Sequence, residues 1–208
     1  MTLTRSYMNT SGSREALIKA GWKIEPYGPG HIVYLTGDAT KPAHPQTADG
    51  AACDAIAHVV NNVGAWGAGF SGALTRRLGP IARDTYTVAW VRQPGIGPRE
   101  LGGVSVNLTA LPGHSRGEYV VPLYLVHLFA QDGLPSATNR RPFRLDALQT
   151  CVRRLIDSNF LVNEPRFHMP RIGTGYGGST WECIEPVVAQ LAAVAPVYVY
   201  DLPGPGGD

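Results

Sequence analysis

The stretch His58-Val59-Val60-Asn61-Asn62-Val63-Gly64-Ala65-Trp66-Gly67-Ala68-Gly69-Phe70 decides how the chain is read. An apolar run ends in two asparagines and passes through a glycine-rich segment holding one tryptophan. It then opens into residues 71–78, whose pattern predicts a helix. The small, apolar residues 51–60 supply the strand that feeds it. A strand that enters a helix through glycines can hold a polar, anionic small molecule. Glycines let the backbone approach the ligand, and the free N–H groups of a helix start favour negative charge.

Downstream, Arg76 and Arg77 stand near the end of that helix, where cations suit the dipole. In residues 84–91, Tyr86, Val88 and Trp90 follow strand-like alternation, with a helix as the other possibility. Residues 93–103 are a Pro/Gly loop, 104–111 a strand and 112–117 a turn. The near-continuous apolar run 119–130 predicts a central strand buried on both faces, with Asp132 at its end. After the polar loop 131–142, Leu145, Leu148, Val152, Leu155 and Ile156 keep helical spacing. A short strand at 166–170 enters a second glycine-rich stretch, Met169-Pro170-Arg171-Ile172-Gly173-Thr174-Gly175-Tyr176-Gly177-Gly178-Ser179-Thr180-Trp181-Glu182. Its Ser179-x-x-Glu182 predicts a capping box, and Pro186 is expected to kink the following helix or shift its start. Residues 196–200 read as a last strand.

Upstream of the opening stretch, residues 31–36 are β-branched and aromatic and end in Gly37-Asp38-Ala39-Thr40. That places a carboxylate at the carboxyl edge of a sheet, where open α/β sheets bind ligands. Further upstream, residues 14–20 suggest a helix, 22–25 an edge strand and 26–30 a turn cluster; 41–50 is a loop. Strands alternating with helices predict an α/β fold, a three-layer α/β/α sandwich with a mixed central sheet. The boundaries read as an N-terminal extension at 1–30, one domain at 31–202 and a tail at 203–208.

The 208 residues suit one domain with a full core. With 44% hydrophobic and 16% charged residues the composition is globular, and a net charge of +2 argues against bulk nucleic-acid binding. The three cysteines, Cys53, Cys151 and Cys183, are widely spaced and fit reduced, buried thiols in a cytoplasmic protein. No clustered metal ligands, no secretory signal and no apolar run of about 18 residues is read, so neither a metal, a cofactor nor a membrane is expected. Two glycine loops beside one crevice suit a pyrophosphate.

These residues resemble the macrodomains, the ADP-ribose-binding α/β/α fold. Three blocks carry the resemblance: Tyr34-Leu35-Thr36-Gly37-Asp38, the loop from Asn61 to Gly69, and Met169 to Gly175 with Trp181-Glu182. The last is similar to the branch holding the terminal ADP-ribose glycohydrolase and the DNA-ADP-ribose-removing antitoxins. The His58-to-Gly69 pattern also resembles the ADP-ribose 1″-phosphate phosphatase. The resemblance implies that Asp38 and the Ala39 N–H take the adenine. Gly67, Ala68, Gly69 and Phe70, with Gly173, Thr174, Gly175 and Tyr176, would hold the two phosphates. Asn61 or Asn62 would meet the distal ribose, Trp66 would wall it or pack on a neighbour, and Tyr176 would close over the ligand.

The glycohydrolase relatives use a lysine in the helix after the first loop and an aspartate in the second. Here those stretches read Ala73-Leu74-Thr75-Arg76-Arg77-Leu78 and Gly175-Tyr176-Gly177. An arginine stays protonated and forms no amine adduct. Three functions remain open. The first is removal of ADP-ribose from a modified protein or nucleic acid, with Asn62 and an oriented water in place of a lysine. The second is phosphatase action using His58 and Asp132. The third is a reader that binds without turnover. His58, three residues inside the strand, is equally read as a core histidine, and His127 as structural. Arg140 and Arg141 are read as solvated or as phosphate contacts. A monomer is expected.

Overall fold

Apolar runs become strands that bury side chains on both faces of a sheet. The computed structural model describes residues 31–42, 53–91, 100–109, 115–116, 119–120 and 122–203. Its elements run β1 (Val33–Thr36), β2 (Cys53–Asn61), α1 (Phe70–Leu78), α2 (Ile81–Val91), β3 (Val104–Thr109), β4 (Ser115–Arg116), β5 (Tyr119–Val120) and β6 (Leu123–Gln131). They continue with α3 (Leu145–Ile156), a 3-10 turn (Asn159–Asn163), β7 (Pro165–Pro170), α4 (Trp181–Ala192) and β8 (Val197–Asp201). The helix expected at 14–20, the edge strand at 22–25 and the turn at 26–30 lie outside the described residues.

The large sheet has the order β1-β8-β7-β2-β6-β3. Every neighbouring pair is parallel except β3 and β6, so the sheet is mixed. Parallel neighbours need crossovers, and the helices that make them cover both faces. On one face Ala55, Ala57, Val126, Leu128, Phe167 and Met169 pack under α3 and α4, through Leu148, Val152, Ile184 and Leu191. On the other, Ile56 and Leu125 meet Leu74, Leu78 and Ala82 of α1 and α2. Each fully buried Leu, Ile, Val, Phe or Met among these contributes roughly 1.5–3 kcal/mol.

Four local expectations need correction. Cys53 and Cys151 are buried, but Cys183, in the first turn of α4, is exposed. Residues 84–91 are helical. The buried positions of α2 are Ala82, Thr85, Tyr86 and Ala89, a 3.6-residue repeat, whereas Val88 and Trp90, which suggested alternation, lie on the surface. The capping box does not form. Ser179 N–H is tied back to the Gly173 carbonyl at 3.1 Å, so α4 starts one residue later, with Thr180 as its N-cap. Glu182 instead turns to its own backbone N–H and the Thr180 hydroxyl, which hold its carboxyl below the usual range. The helix runs on through Pro186. Finally, the apolar run 119–130 is split: β5 pairs with β4 inside the expected turn, and β6 begins after Pro122, which has no N–H for the ladder.

Candidate functional site

Because β1, β8, β7, β2 and β6 run parallel, their carboxyl ends share one edge in that order. Along it stand Gly37-Asp38 after β1, Asp201 at the end of β8, the second glycine loop after β7, the first after β2, and Asp132 after β6. Four strand spacings separate β1 from β6, about 19 Å at roughly 4.8 Å each. The two glycine loops lie between these ends.

The second loop is anchored at its root. Arg171 makes two parallel bonds to Asp201, Nε to Oδ1 at 2.6 Å and a terminal nitrogen to Oδ2 at 2.8 Å. Its guanidinium lies over the rings of Tyr34 and Trp181, 5.3 and 5.4 Å from their centroids. Trp181 Nε1 donates to the Tyr34 hydroxyl at 2.9 Å, and that hydroxyl donates to Glu185 at 2.5 Å. Burial and the Glu185 carboxylate push the Tyr34 phenol up to about 12. The Arg171 carbonyl in turn accepts from Thr174 Oγ1 at 2.7 Å. Gly177 is closely approached: a Cβ there would lie 2.4 Å from the Gly173 carbonyl oxygen. Gly175 is the opposite case. Its φ lies outside the left-handed region, and a Cβ would meet nothing within 4 Å.

The first loop reaches the second through Tyr176. A Cβ on Gly69 would stand 3.1 Å from the Tyr176 ring, so the loops are in contact. Tyr176 is itself exposed. Loop 1 continues into α1 with Gly69 as N-cap and no side-chain cap on the helix start. Gly67 N–H donates to Ser71 Oγ at 3.2 Å.

The two asparagines divide their roles. The Asn61 side chain is consumed by its own turn, donating to the Ala65 carbonyl at 2.6 Å and accepting from Val63 and Ala65 N–H at 3.1 and 3.0 Å. The Asn62 side chain points to the turn after β6. It accepts from Gly133 N–H at 2.8 Å and donates to Asp132 Oδ1 at 3.3 Å. Asp132 is half-exposed, and its other oxygen holds Arg144 at 3.2 Å. A register shift between β2 and β6 at Val60/Asn61 re-aims the strand end there. Arg144 was not singled out from sequence: it stands twelve residues after Asp132, across most of the polar loop, and no local pattern signals the pair.

His58 does not lie on the cleft surface. It is 2% exposed, and its Nε2 is 2.8 Å from His127 Nδ1. His127 Nε2 is 3.1 Å from Thr85 Oγ1, which donates to the Ala82 carbonyl. That chain requires Nε2–H on both rings and leaves both neutral. Burial pushes His58 down to about 3, and burial with its neighbour His58 pushes His127 well below the usual histidine range. Trp66 also packs inward, 5.1 Å from Tyr86 and edge-on to His58 and His127, with Nε1 donating to Thr75 Oγ1 at 2.8 Å. As a packing residue it takes the second of its two expected places.

At the other end, Asp38 Oδ1 accepts from Thr40 N–H and Oγ1 at 2.9 and 2.8 Å. Its Oδ2 stands 4.0 Å from Lys41 Nζ, and Ala39 beside it is buried. Arg140 and Arg141 are exposed, and their backbone packs on Gly178 of the second loop. Among the described residues no group of His, Cys, Asp or Glu is arranged to hold a metal ion. A cavity of about 330 Å³ at the far edge, between Val104, Arg154 and Phe160, shares no residue with this cleft.

No protein-family model and no curated protein sequence matches the chain. Solved structures do. A macrodomain protein from Streptomyces coelicolor is 28% identical over 82% of this chain and 99% of its own, with a TM-score of 0.56. The macrodomain of Mycobacterium tuberculosis DarG is 24% identical over 84% of this chain and 99% of its own, at 0.59. Thermosipho africanus DarTG in complex with ADP-ribose is 14% identical, with 83% of this chain and 42% of that chain covered, at 0.58. By its mixed sheet and this likeness, the chain has the macrodomain fold.

Proposed function

We propose that the cleft binds ADP-ribose and that the protein removes ADP-ribosyl groups from a modified macromolecule without a lysine nucleophile. The contact of Tyr176 with Gly69 carries this reading, because it joins the helix-start loop 67–70 and the glycine-rich loop 173–177 into one anion cradle at the centre of the edge. Around it the edge spans about the length of an extended diphosphate with two ribosyl ends. Asp38 and the Ala39 N–H take the adenine. The backbones of residues 67–70 and 173–176 take the phosphates, and Asn62 takes the distal ribose. The bound ligand in the Thermosipho africanus DarTG structure supports the choice of ADP-ribose.

The chemistry follows from what the residues can hold. Arg76 and Arg77 stand in α1 where a lysine would be needed, and the Gly177 backbone leaves no room for an aspartate side chain. A covalent amine route is therefore disfavoured. Asn62 and Asp132 form a bonded amide–carboxylate pair at the distal end. They orient a water toward the anomeric carbon. The water oxygen bonds to that carbon and its proton passes to the ligand phosphate, while the bond to the target breaks and the departing group is protonated by solvent. The protein supplies position and electrostatics. His58 is buried and bonded to His127, which leaves the phosphatase reading with Asp132 alone.

The test is a substrate panel of ADP-ribosylated protein, ADP-ribosylated DNA and ADP-ribose 1″-phosphate, with calorimetry on ADP-ribose. Release of ADP-ribose from a modified macromolecule, without phosphate release, is expected. Binding with no release makes the protein a reader, and no heat up to millimolar ADP-ribose sinks the binding reading itself.

A further inference from the structure

We infer that Tyr86, on α2 and outside the cleft lining, is a positioning residue for Asn62. Its hydroxyl is the template around which the turn 61–64 closes. This deepens the ADP-ribose reading and rests on it for its ligand arm.

The phenol is 1% exposed and sits inside the turn. Its O–H is 3.0 Å from both the Asn61 carbonyl oxygen and Asn61 Oδ1, and it accepts from the Gly64 backbone N–H. One hydroxyl thus ties the first and last residues of the turn that carries Asn62. The ring is held independently of the hydroxyl, stacked on Phe129 at 6.0 Å and 20° and tilted against Trp66 at 5.1 Å and 31°. Burial pushes the phenol up to about 12, so it remains a protonated donor.

One turn further along α2, Trp90 finishes the clamp. Its Nε1 donates to the Asn62 carbonyl at 3.2 Å. Its ring lies 3.1 Å from where a Gly64 side chain would begin, at φ +77°. The Asn62 backbone is therefore held from the α2 side and its side chain from the Asp132–Gly133 side. Neither ring lies among the residues assigned to the ligand, yet together they fix the backbone of Asn62, a residue 5% exposed whose side chain is held by Gly133 N–H and Asp132. Without the hydroxyl, Gly64 N–H and Asn61 Oδ1 lose a buried partner and the turn relaxes.

Tyr86→Phe keeps the stacked ring and deletes the template. Two measurements read it. The first is the Asn62 side-chain amide signal in nitrogen-15 NMR of the free protein, assigned by its loss in Asn62→Asp. The second is calorimetric affinity for ADP-ribose and for ADP, which lacks the distal ribose. The Asn62 signal is expected to shift and to gain solvent exchange in Tyr86→Phe but not in the exposed Thr87→Ala. ADP-ribose affinity should fall about tenfold and ADP affinity less than twofold. An unmoved Asn62 signal, or equal losses for both nucleotides, overturns the inference. Should Tyr86→Phe not fold, Trp90→Phe gives the same two readouts at a half-exposed position, with a loss of about threefold confined to ADP-ribose and the same overturning results. If the wild-type protein binds neither nucleotide, the ADP-ribose reading fails, and the Asn62 signal still decides whether Tyr86 sets the turn.

Discussion

Glycines 175 and 177 are two residues apart and stand for different reasons. Gly177 is demanded by the protein, because its neighbour's carbonyl occupies the space of a side chain. Gly175 is not: its backbone angles and its surroundings would both accept a Cβ. A glycine that the folded chain does not require leaves its open side to a ligand. Gly175→Val should therefore leave unfolding free energy within about 1 kcal/mol, by denaturant titration, while lowering ADP-ribose affinity at least tenfold in calorimetry. Normal binding by this variant would remove Gly175 from the phosphate site. At the far end, Asp38→Ala should also cost about tenfold or more in ADP-ribose affinity, and a change under twofold would refute the adenine assignment. It should also destabilise by about 1 kcal/mol, since Thr40 N–H loses its acceptor in a buried position.

At the scale of elements, α4 links the core to the second loop. Ile184 is fully buried, and its Cδ1 lies 2.9 Å from the Cβ position of Gly173. Truncation to alanine opens a cavity beneath the loop, so Ile184→Ala should cost roughly 2–5 kcal/mol in chemical denaturation. A cost below about 1 kcal/mol would mean that the helix does not support the loop as described. Helix α2 plays the matching part for the first loop, through side chains one turn apart. The spacing of its buried residues, not the alternation of its aromatic ones, determines what it is.

For the whole molecule, the buried histidine pair makes stability depend on pH. Both rings have folded-state values below the unfolded 6.5, His58 at about 3. Their contribution is complete above pH 6.5 and is lost as pH falls from there toward 3, because only the unfolded chain takes up the protons readily. The loss approaches about 1.4 kcal/mol per pH unit for each ring. Calorimetric melting at pH 7.5 and pH 5.0 should show a clear fall in Tm, and a flat profile would show that the pair is not neutral and buried as a unit.

The sequence by itself determined the α/β class, the two glycine loops, the strand-end Asp38 and the resemblance that joins them. Each of these is a local signal: strand periodicity, glycines at a strand–helix junction, a turn after a β-branched run. It also determined that a lysine is missing from the first helix. Tertiary structure decided everything that depends on contacts between distant residues. Asn61 and Asn62 look alike in the chain. The bulge at Ala130 of β6, opposite Val60/Asn61, and the turn after β6 turn one inward and the other toward Asp132. His58 matched a motif, but its burial follows from His127 on the neighbouring strand, opposite it in register. Tyr86 drew notice only as part of an alternation, because the role of a hydroxyl inside a turn is defined by residues more than twenty positions away. Local sequence sets backbone tendencies over a few residues; which polar groups are left facing the cleft depends on which others have already been satisfied in the core.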